Sequence, residues 1–294
     1  MKRSLSNRGL FAISMAIFGT IGLFVRYIPL PSAEISLYRA LLAIVLVGGY
    51  LLLTKEKISF KNYKKELMVL LLSGAAMGFN WIFLFAAYKC TTVSVATLSY
   101  YFAPVIVTVL SPLLFKEKMT LKKVICFIFS TLGLVLLTDI GNLKGNMLHI
   151  KGIAFGITAA ILYATVMLLN KLIKGIGGIH RTFLQFLAAV VVLVPYVFLT
   201  DGVNIATLKY EGLISLLIVG VIHTGITYLL YFSSLKEMDG QQAAVLSYID
   251  PLVAVLISVF ILKENITLVQ IMGGVLILLF TLFNEISFSK DSRK

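Results

Sequence analysis

The chain has 294 residues, of which 59% are hydrophobic and only 13% are charged. Soluble domains are nearer half apolar and a quarter charged, so this composition excludes an ordinary soluble protein and indicates a membrane protein. The formal net charge of +13 does not indicate nucleic-acid binding, because the basic residues lie in short gaps between apolar runs instead of on one basic face.

The first apolar run follows Lys2, Arg3 and Arg8 and so resembles a secretory signal peptide, but no small-residue cleavage site follows it. We therefore interpret this run as a retained membrane span. Ten apolar segments of about 20 residues have the length needed to cross a bilayer as helices. They cover residues 9–27, 34–53, 66–88, 93–115, 121–138, 150–169, 180–199, 211–232, 241–262 and 267–286. The expected fold is an all-α membrane protein with ten transmembrane helices.

Lys and Arg residues in the connecting loops predict how these helices are oriented. If the N-terminus is cytoplasmic, 19 of them fall on the cytoplasmic side and 6 on the far side. Cytoplasmic loops carry an excess of Lys and Arg, so we expect both termini in the cytoplasm. The expected location is the cell (cytoplasmic) membrane, where the chain crosses the lipid bilayer many times.

Two stretches, Val95–Leu121 and Gln242–Leu268, align without gaps at an offset of 147 residues. The matched residues are Tyr101 with Tyr248, Pro104 with Pro251, Ser111 with Ser258, and Lys116-Glu117 with Lys263-Glu264. The sequence therefore predicts two five-helix repeats, residues 1–147 and 148–294. Because five is odd, the second repeat would enter the membrane inverted relative to the first, which is a recurring design of transporters.

These stretches carry a resemblance to a known family, together with "LYRALLAIVLVGGYLLLTKEK" (37–57) and the glycine-containing segments "STLGLVLL" and "MGGVLILL". They resemble the drug/metabolite transporter superfamily, specifically its EamA-type ten-helix members, over essentially the full length. The resemblance implies a secondary transporter of a small metabolite, commonly an amino acid and often moved outward. In such proteins the acid before the second-repeat proline is often Glu, whereas here it is Asp250.

Asp250 and Pro251 stand side by side near the middle of an apolar segment. An ionised acid at that depth costs about 2.5–3.5 kcal/mol even on the lenient insertion scale, so it should face a hydrated cavity or have a partner. Proline removes a backbone donor and leaves carbonyls that a cavity can solvate. Pro104 and Pro251 are therefore gating candidates. The alternative is that Asp250 pairs with a neighbouring helix and never meets substrate.

Two further ionisable residues lie within the spans, and each has two interpretations. His223 could form a proton relay with Asp250, or it could bond a neighbouring hydroxyl such as that of Thr224 or Thr227. Arg39 could bind a substrate carboxylate, or it could snorkel outward or pair with Glu34; we slightly favour the pairing.

An aromatic pocket with a few polar groups suits a metabolite site, and the spans supply candidates for one. Together with Asp250 and Arg39, the predicted substrate-binding residues are Asn80, Trp81, Tyr101, Tyr228, Ser247 and Tyr248. In a continuous α-helix, Ser247 lies on the same face as Asp250, whereas Tyr248 lies about 160° around the helix from Asp250.

The function favoured by the sequence is secondary transport by alternating access, most of all export of an amino acid or related metabolite. Proton- or ion-coupled uptake of another small polar solute and lipid-headgroup flipping remain alternatives. An enzyme is not expected, because no convergent set of catalytic groups or metal ligands is visible, and no cofactor or metal is expected. The expected partners are a small-molecule substrate and the bilayer, with the protein as a monomer or homodimer.

Overall fold

A computed structural model describes residues 7–55, 64–116, 118–137, 147–173, 175–235, 238 and 240–285, and this part of the chain is helical with no strand. Glu117 of the repeated Lys-Glu pair lies outside the described residues. The α-helices are α1 (Asn7–Gly19), α2 (Ile21–Arg26), α3 (Ser32–Leu53), α4 (Lys64–Cys90), α5 (Val93–Tyr100), α6 (Ala103–Phe115), α7 (Leu121–Leu137), α8 (Met147–Leu172), α9 (Gly178–Leu199), α10 (Tyr210–Leu217), α11 (Thr227–Leu235), α12 (Gly240–Ser247), α13 (Ile249–Leu256) and α14 (Leu268–Glu285). Two π-helices, Ile218–Ile226 and Ile257–Ile261, and a 3₁₀ turn, Ile205–Thr207, lie between them.

Seven helical segments are long and apolar enough to cross a membrane: Asn7–Arg26, Ser32–Leu53, Glu66–Cys90, Val93–Phe115, Met147–Leu172, Gly178–Leu199 and Tyr210–Leu235. Val245–Ile261 and Leu268–Asn284 are shorter apolar helices. Large apolar side chains cover the outside of the bundle; Leu53, for example, is 86% exposed and Val45 is 71% exposed. Such a surface is stable in lipid and not in water, so the chain is a multi-pass membrane protein.

Several predicted spans are interrupted, although the sequence analysis treats each as one helix. Span 93–115 breaks after Tyr100, where Pro104 lies in the first turn of α6, and span 241–262 breaks at Tyr248, just before Pro251 in α13. A proline has no N–H and its ring collides with the carbonyl four residues earlier, so the break comes one turn before it.

The two aligned stretches also share backbone features at the offset of 147 residues. Lys116 ends α6 with a φ of 55°, and Lys263 follows the second π-helix with a φ of 56°. A left-handed conformation is rare for lysine, so its recurrence at matched positions indicates that both stretches end in the same way. The breaks at Tyr101 and Tyr248 are matched as well.

The first π-helix lies against α3, and two glycines allow this close approach. A Cβ atom on Gly220 or Gly225 would lie 2.3 Å from the side chain of Leu42 or Leu46, respectively. π-Helical turns are rare and are common at functional sites. Here the π-helix contains His223, one of the predicted gating residues.

Helices α7 and α14 cross at a pair of glycines that belong to the two glycine-containing segments of the sequence. A Cβ on Gly133 would lie 2.7 Å from the Gly273 carbonyl oxygen, and a Cβ on Gly273 would lie 2.5 Å from the Gly133 carbonyl oxygen. The obstacle on both sides is backbone, which cannot rotate away as a side chain can. The two helices therefore pack closely only because both residues lack a side chain.

Substituting Gly133→Ala is expected to destabilise the protein by about 1–3 kcal/mol, the usual cost of overpacking a tight contact. Gly49→Ala, in the last turns of α3, is the matched control because its Cβ would meet nothing within 4 Å. Thermal unfolding in detergent should show a lower midpoint for Gly133→Ala and an unchanged or higher one for Gly49→Ala. Equal midpoints for the two variants would show that the helices do not meet at these glycines.

Candidate functional site

Asp250 lies in the first turn of α13, and its nearest polar partner comes from the other aligned stretch of the sequence. The Tyr101 hydroxyl donates a hydrogen bond of 2.7 Å to Asp250 Oδ2. Helix α13 is held close to α1, since a Cβ on Gly19 would lie 2.5 Å from the Asp250 carbonyl oxygen. Asp250 thus sits where α1, α5 and α13 meet, with one carboxylate oxygen bonded to Tyr101.

Pro251 shapes this region through the backbone of the preceding turn. The carbonyl of Ser247 is four residues before Pro251, which has no N–H to bond it. The Tyr101 hydroxyl lies 3.4 Å from this oxygen, further than from Asp250. Tyr101 therefore faces both the acid and the backbone carbonyl at the helix break.

Tyrosine side chains surround Asp250 at depth. Tyr100, Tyr101 and Tyr228 are half-buried and Tyr163 is 38% exposed, and all four lie within electrostatic range of Asp250. Asp250 itself keeps part of its surface accessible, so it is not fully sealed by the protein. Tyr248, 9% exposed, packs its ring 6.4 Å from that of Tyr101.

Arg39 lies in α3 and is 4% exposed. Its Nε donates a hydrogen bond of 2.6 Å to Thr224 Oγ1 in the first π-helix, and its guanidinium lies 4.3 Å above the Trp81 ring. The pairing with Glu34 that the sequence analysis favoured is wrong. The Glu34 carboxylate accepts hydrogen bonds from the backbone N–H and side chain of Asn204, since a residue five positions before Arg39 lies on another face of the helix.

An aromatic row extends from Arg39 towards α1. Trp81 packs against Phe186 with centroids 5.6 Å apart, Phe186 against Tyr228 at 5.4 Å, and Tyr228 against Phe18 at 5.3 Å. Tyr228 lies within electrostatic range of both Arg39 and Asp250. The row therefore links Trp81, over which the Arg39 guanidinium lies, to Tyr228, which is within electrostatic range of Asp250.

Asn80, another predicted substrate-binding residue, joins two helices in this structure. It is 2% exposed, and its side-chain amide donates a hydrogen bond of 2.7 Å to the Ala159 carbonyl in α8. Gln185 has a similar role, since its amide donates to Ser73 in α4 and to Asn170 in α8. These contacts hold α4, α8 and α9 together.

The hydrogen bonds of His223 that the structure shows go to Thr20 and Ile218. Its Nε2 lies 2.7 Å from Thr20 Oγ1 and its Nδ1 lies 3.2 Å from the Ile218 carbonyl oxygen. The Thr20 hydroxyl also lies 2.8 Å from the Ile17 carbonyl oxygen, so its single hydrogen is donated either to that oxygen or to the His223 ring. Of the two interpretations, the bond to a hydroxyl is the one that this structure shows, with Thr20 in place of Thr224 or Thr227. His223 joins the π-helix to the break between α1 and α2.

A polar network at one end of the bundle was not predicted from the sequence. Glu264 Oε1 forms an ion pair with Arg26 Nη2 at 2.5 Å, and Oε2 accepts hydrogen bonds from the Val93 backbone N–H at 2.8 Å and the Ser258 hydroxyl at 2.5 Å. Arg26 also donates to the Thr91 carbonyl oxygen. We call these residues the Glu264 network; it ties the end of α2, the start of α5 and the second π-helix together.

The repeated Lys-Glu pair was the signal that could have pointed to Glu264. From the sequence alone, this pair aligns the two repeats and Arg26 counts as a loop charge on the far side. A carboxylate near a helix N-terminus interacts favourably with the free N–H groups there, and Val93 is the first residue of α5. The contact between Glu264 and the N-terminus of α5 could not be predicted, because the sequence does not show which helix begins beside Glu264.

In the part of the chain that the structure describes, no group of three or more His, Cys, Asp or Glu residues could hold a metal ion. The two cysteines are unpaired; Cys126 is buried and Cys90 is partly accessible.

Comparison with solved structures supports the fold. One crystal structure superposes with a TM-score of 0.65 at 15% sequence identity and covers 95% of this chain and 98% of its own. Identity at this level shows a shared fold alone.

Comparison with known sequences shows the family as well as the fold. "Uncharacterized transporter YxxF" of Bacillus subtilis (strain 168) is 33% identical over 266 residues, which is 90% of this chain and 85% of that protein. An "Uncharacterized transporter" of Archaeoglobus fulgidus is 34% identical over 195 residues, 66% of this chain and 67% of its own length. The model of the EamA-like transporter family matches twice, at residues 9–139 and 150–285. The chain belongs to the EamA-like transporter family and has its two-repeat architecture.

Proposed function

We propose that this membrane transporter is a secondary transporter that moves a small metabolite across the cytoplasmic membrane by alternating access. The expected cargo is an amino acid or a related metabolite, and the expected direction is export. The observation that carries the proposal is the position of Asp250. It is an acidic residue inside an apolar segment, bonded across the repeats to Tyr101, and part of its surface stays accessible.

The proposed topology has ten crossings and two inverted repeats, residues 1–147 and 148–294, with both termini in the cytoplasm. The excess of basic residues in the cytoplasmic loops supports it. Helix α7 and the shorter apolar helices Val245–Ile261 and Leu268–Asn284 would then cross the membrane together with the seven longer segments. In this orientation the Glu264 network lies on the far side.

The proposed mechanism uses the two ends of the bundle in turn. In the present conformation, the Glu264 network and the Glu34–Asn204 contacts hold the far end together. Opening this end requires these charged contacts to break, while the breaks at Pro104 and Pro251 give the two central segments points at which to bend. His223, bonded to Thr20 at the break between α1 and α2, would link that bending to the first π-helix.

Asp250 is proposed as the residue that holds the cationic group of the cargo, or a proton in its absence. Tyr101, Tyr228 and Tyr248 would supply hydroxyls and ring faces, and the Ser247 carbonyl at the helix break would supply a further acceptor. Trp81 would contribute its ring, whereas the buried Asn80 would act by holding α4 against α8.

A thermal-shift screen of the purified protein against amino acids and related metabolites tests this proposal, because a ligand that binds only the folded state stabilises it. The stabilisation is about 2.7 kcal/mol at a concentration a hundred times the Kd. We expect at least one compound to raise the unfolding midpoint by several degrees and to be moved by the protein in proteoliposomes. Loading the compound on one side at a time gives the direction. If no compound stabilises the protein or crosses the membrane, the proposed cargo class is wrong.

A further inference from the structure

Arg39 has an unusual environment for a buried arginine. Its guanidinium carbon lies 4.3 Å from the centroid of the Trp81 ring and 5.4 Å from that of the Phe85 ring, both on α4. Among the described residues, the structure gives it one hydrogen bond, from Nε to Thr224, and no carboxylate partner. A buried cation without a counterion is costly, because its desolvation is not offset by an opposite charge.

The first π-helix explains why Nε is bonded while the Nη edge of Arg39 is left for another acceptor. The Thr224 hydroxyl donates to the Val219 carbonyl oxygen five residues earlier, at 2.9 Å. The same hydroxyl oxygen therefore accepts from Arg39 Nε, and this fixes the plane of the guanidinium. The two Nη nitrogens keep the fork geometry that matches a carboxylate.

Arg39 and Asp250 belong to one electrostatic environment without forming an ion pair. Tyr88, Tyr100 and Tyr228 each lie within electrostatic range of both residues. An acid and a base at two places around one aromatic interior match a ligand that carries both charges. A simple amine would leave Arg39 without a counterion, and a simple anion would leave Asp250 without one.

We propose that the Nη edge of Arg39 is the carboxylate subsite of the transported molecule and selects zwitterionic substrates over amines of the same shape. This inference rests on the proposed function and deepens it, since Asp250 holds the ammonium group and Arg39 the carboxylate. Thr224 acts as a positioning residue through its hydrogen bond to Nε. Trp81 provides the ring face on which the guanidinium rests.

Binding to the purified full-length protein by matched pairs of compounds tests the subsite. Each pair consists of an amino acid and its decarboxylated amine or its amide, for example phenylalanine with phenethylamine and with phenylalaninamide. The wild-type protein should bind the zwitterion at least about tenfold more tightly than either analogue, in line with the loss of one charged hydrogen-bonded contact. Equal affinities for zwitterion and amine would overturn the inference.

Variants of Arg39 give the second part of this test. Arg39→Lys keeps the charge but loses the fork, so the preference for the zwitterion should fall by several-fold, and Arg39→Gln should remove it. Asp250→Asn should instead weaken the binding of the zwitterion and of the amine to a similar extent. Because the wild-type comparison does not depend on any variant folding, an unstable Arg39→Gln leaves the inference testable.

The two proposals fail in different ways. If amines bind and are transported as well as zwitterions and Arg39→Lys changes neither, Arg39 is a structural residue and the transport function stands. If neither member of any pair binds or is transported, both proposals are overturned.

Discussion

Replacing Asp250 with asparagine should reduce transport by roughly two orders of magnitude while leaving the fold intact. The substitution preserves shape, and the amide oxygen can still accept the Tyr101 hydrogen bond that is 2.7 Å long in the wild type. Only the charge is lost. A charged contact is worth about 1.5–3 kcal/mol, and 1.4 kcal/mol corresponds to a factor of ten.

The measurement is initial flux in proteoliposomes as a function of pH, with thermal unfolding as a check on folding. Asp201→Asn is the matched control, because Asp201 is an exposed acid in a loop and the chemical change is the same. Tyr101→Phe removes the hydroxyl and should lower the initial flux about tenfold, a smaller effect than the loss of the Asp250 charge. Wild-type flux with a wild-type pH dependence in Asp250→Asn would remove this residue from the mechanism.

Replacing Glu264 with glutamine should open the end of the bundle that the Glu264 network closes. The ion pair with Arg26 would be lost, and a neutral amide cannot replace the carboxylate beside the N-terminus of α5 as effectively. The reaction rate of Cys90 with maleimide should rise about tenfold in the purified protein. Transport should fall, because one of the two alternating conformations is destabilised.

Cys90 is a suitable reporter because it is partly accessible and directly precedes Thr91, whose carbonyl Arg26 bonds. The buried Cys126 should react slowly in every variant and serves as the internal reference. Glu211→Gln changes an exposed acid in the first turn of α10 and is the matched control. An unchanged Cys90 rate in Glu264→Gln would mean that the network does not keep this end closed.

The sequence predicted the all-helical membrane fold because length and hydrophobicity alone decide whether a segment can lie in lipid. It also identified Asp250 and Tyr101 as separate candidates. It did not predict that they bond each other, because they are 149 residues apart. An alignment of repeats gives matched positions, and it does not give contacts between unmatched ones.

The partners of the other ionisable residues could not be predicted for the same reason. Arg39 bonds Thr224, 185 residues away, and His223 bonds Thr20, 203 residues away. Near neighbours such as Glu34 were favoured because sequence shows only local distances. The π-helix adds to this difficulty, since its wider turn changes which side chains share a face, and no pattern in the sequence indicates it.

The sequence predicts the positions of the helix breaks, but it does not predict the contacts that form at them. Pro104 and Pro251 marked the segments that would bend. The position of the Ser247 carbonyl beside the Tyr101 hydroxyl depends on how α5 and α13 pack, which the proline pattern does not specify.

The most direct test of the central claim, that the cargo meets the Asp250 carboxyl, is modification by a hydrophobic carbodiimide followed by mass spectrometry of the peptide that contains it. The amino acid with the largest thermal shift is added at saturating concentration to one of two parallel samples. We expect Asp250 to be modified, the ligand to slow the reaction, and transport to be lost in proportion to the modified fraction. A modification rate that the ligand leaves unchanged, with transport intact in the modified protein, would contradict the account.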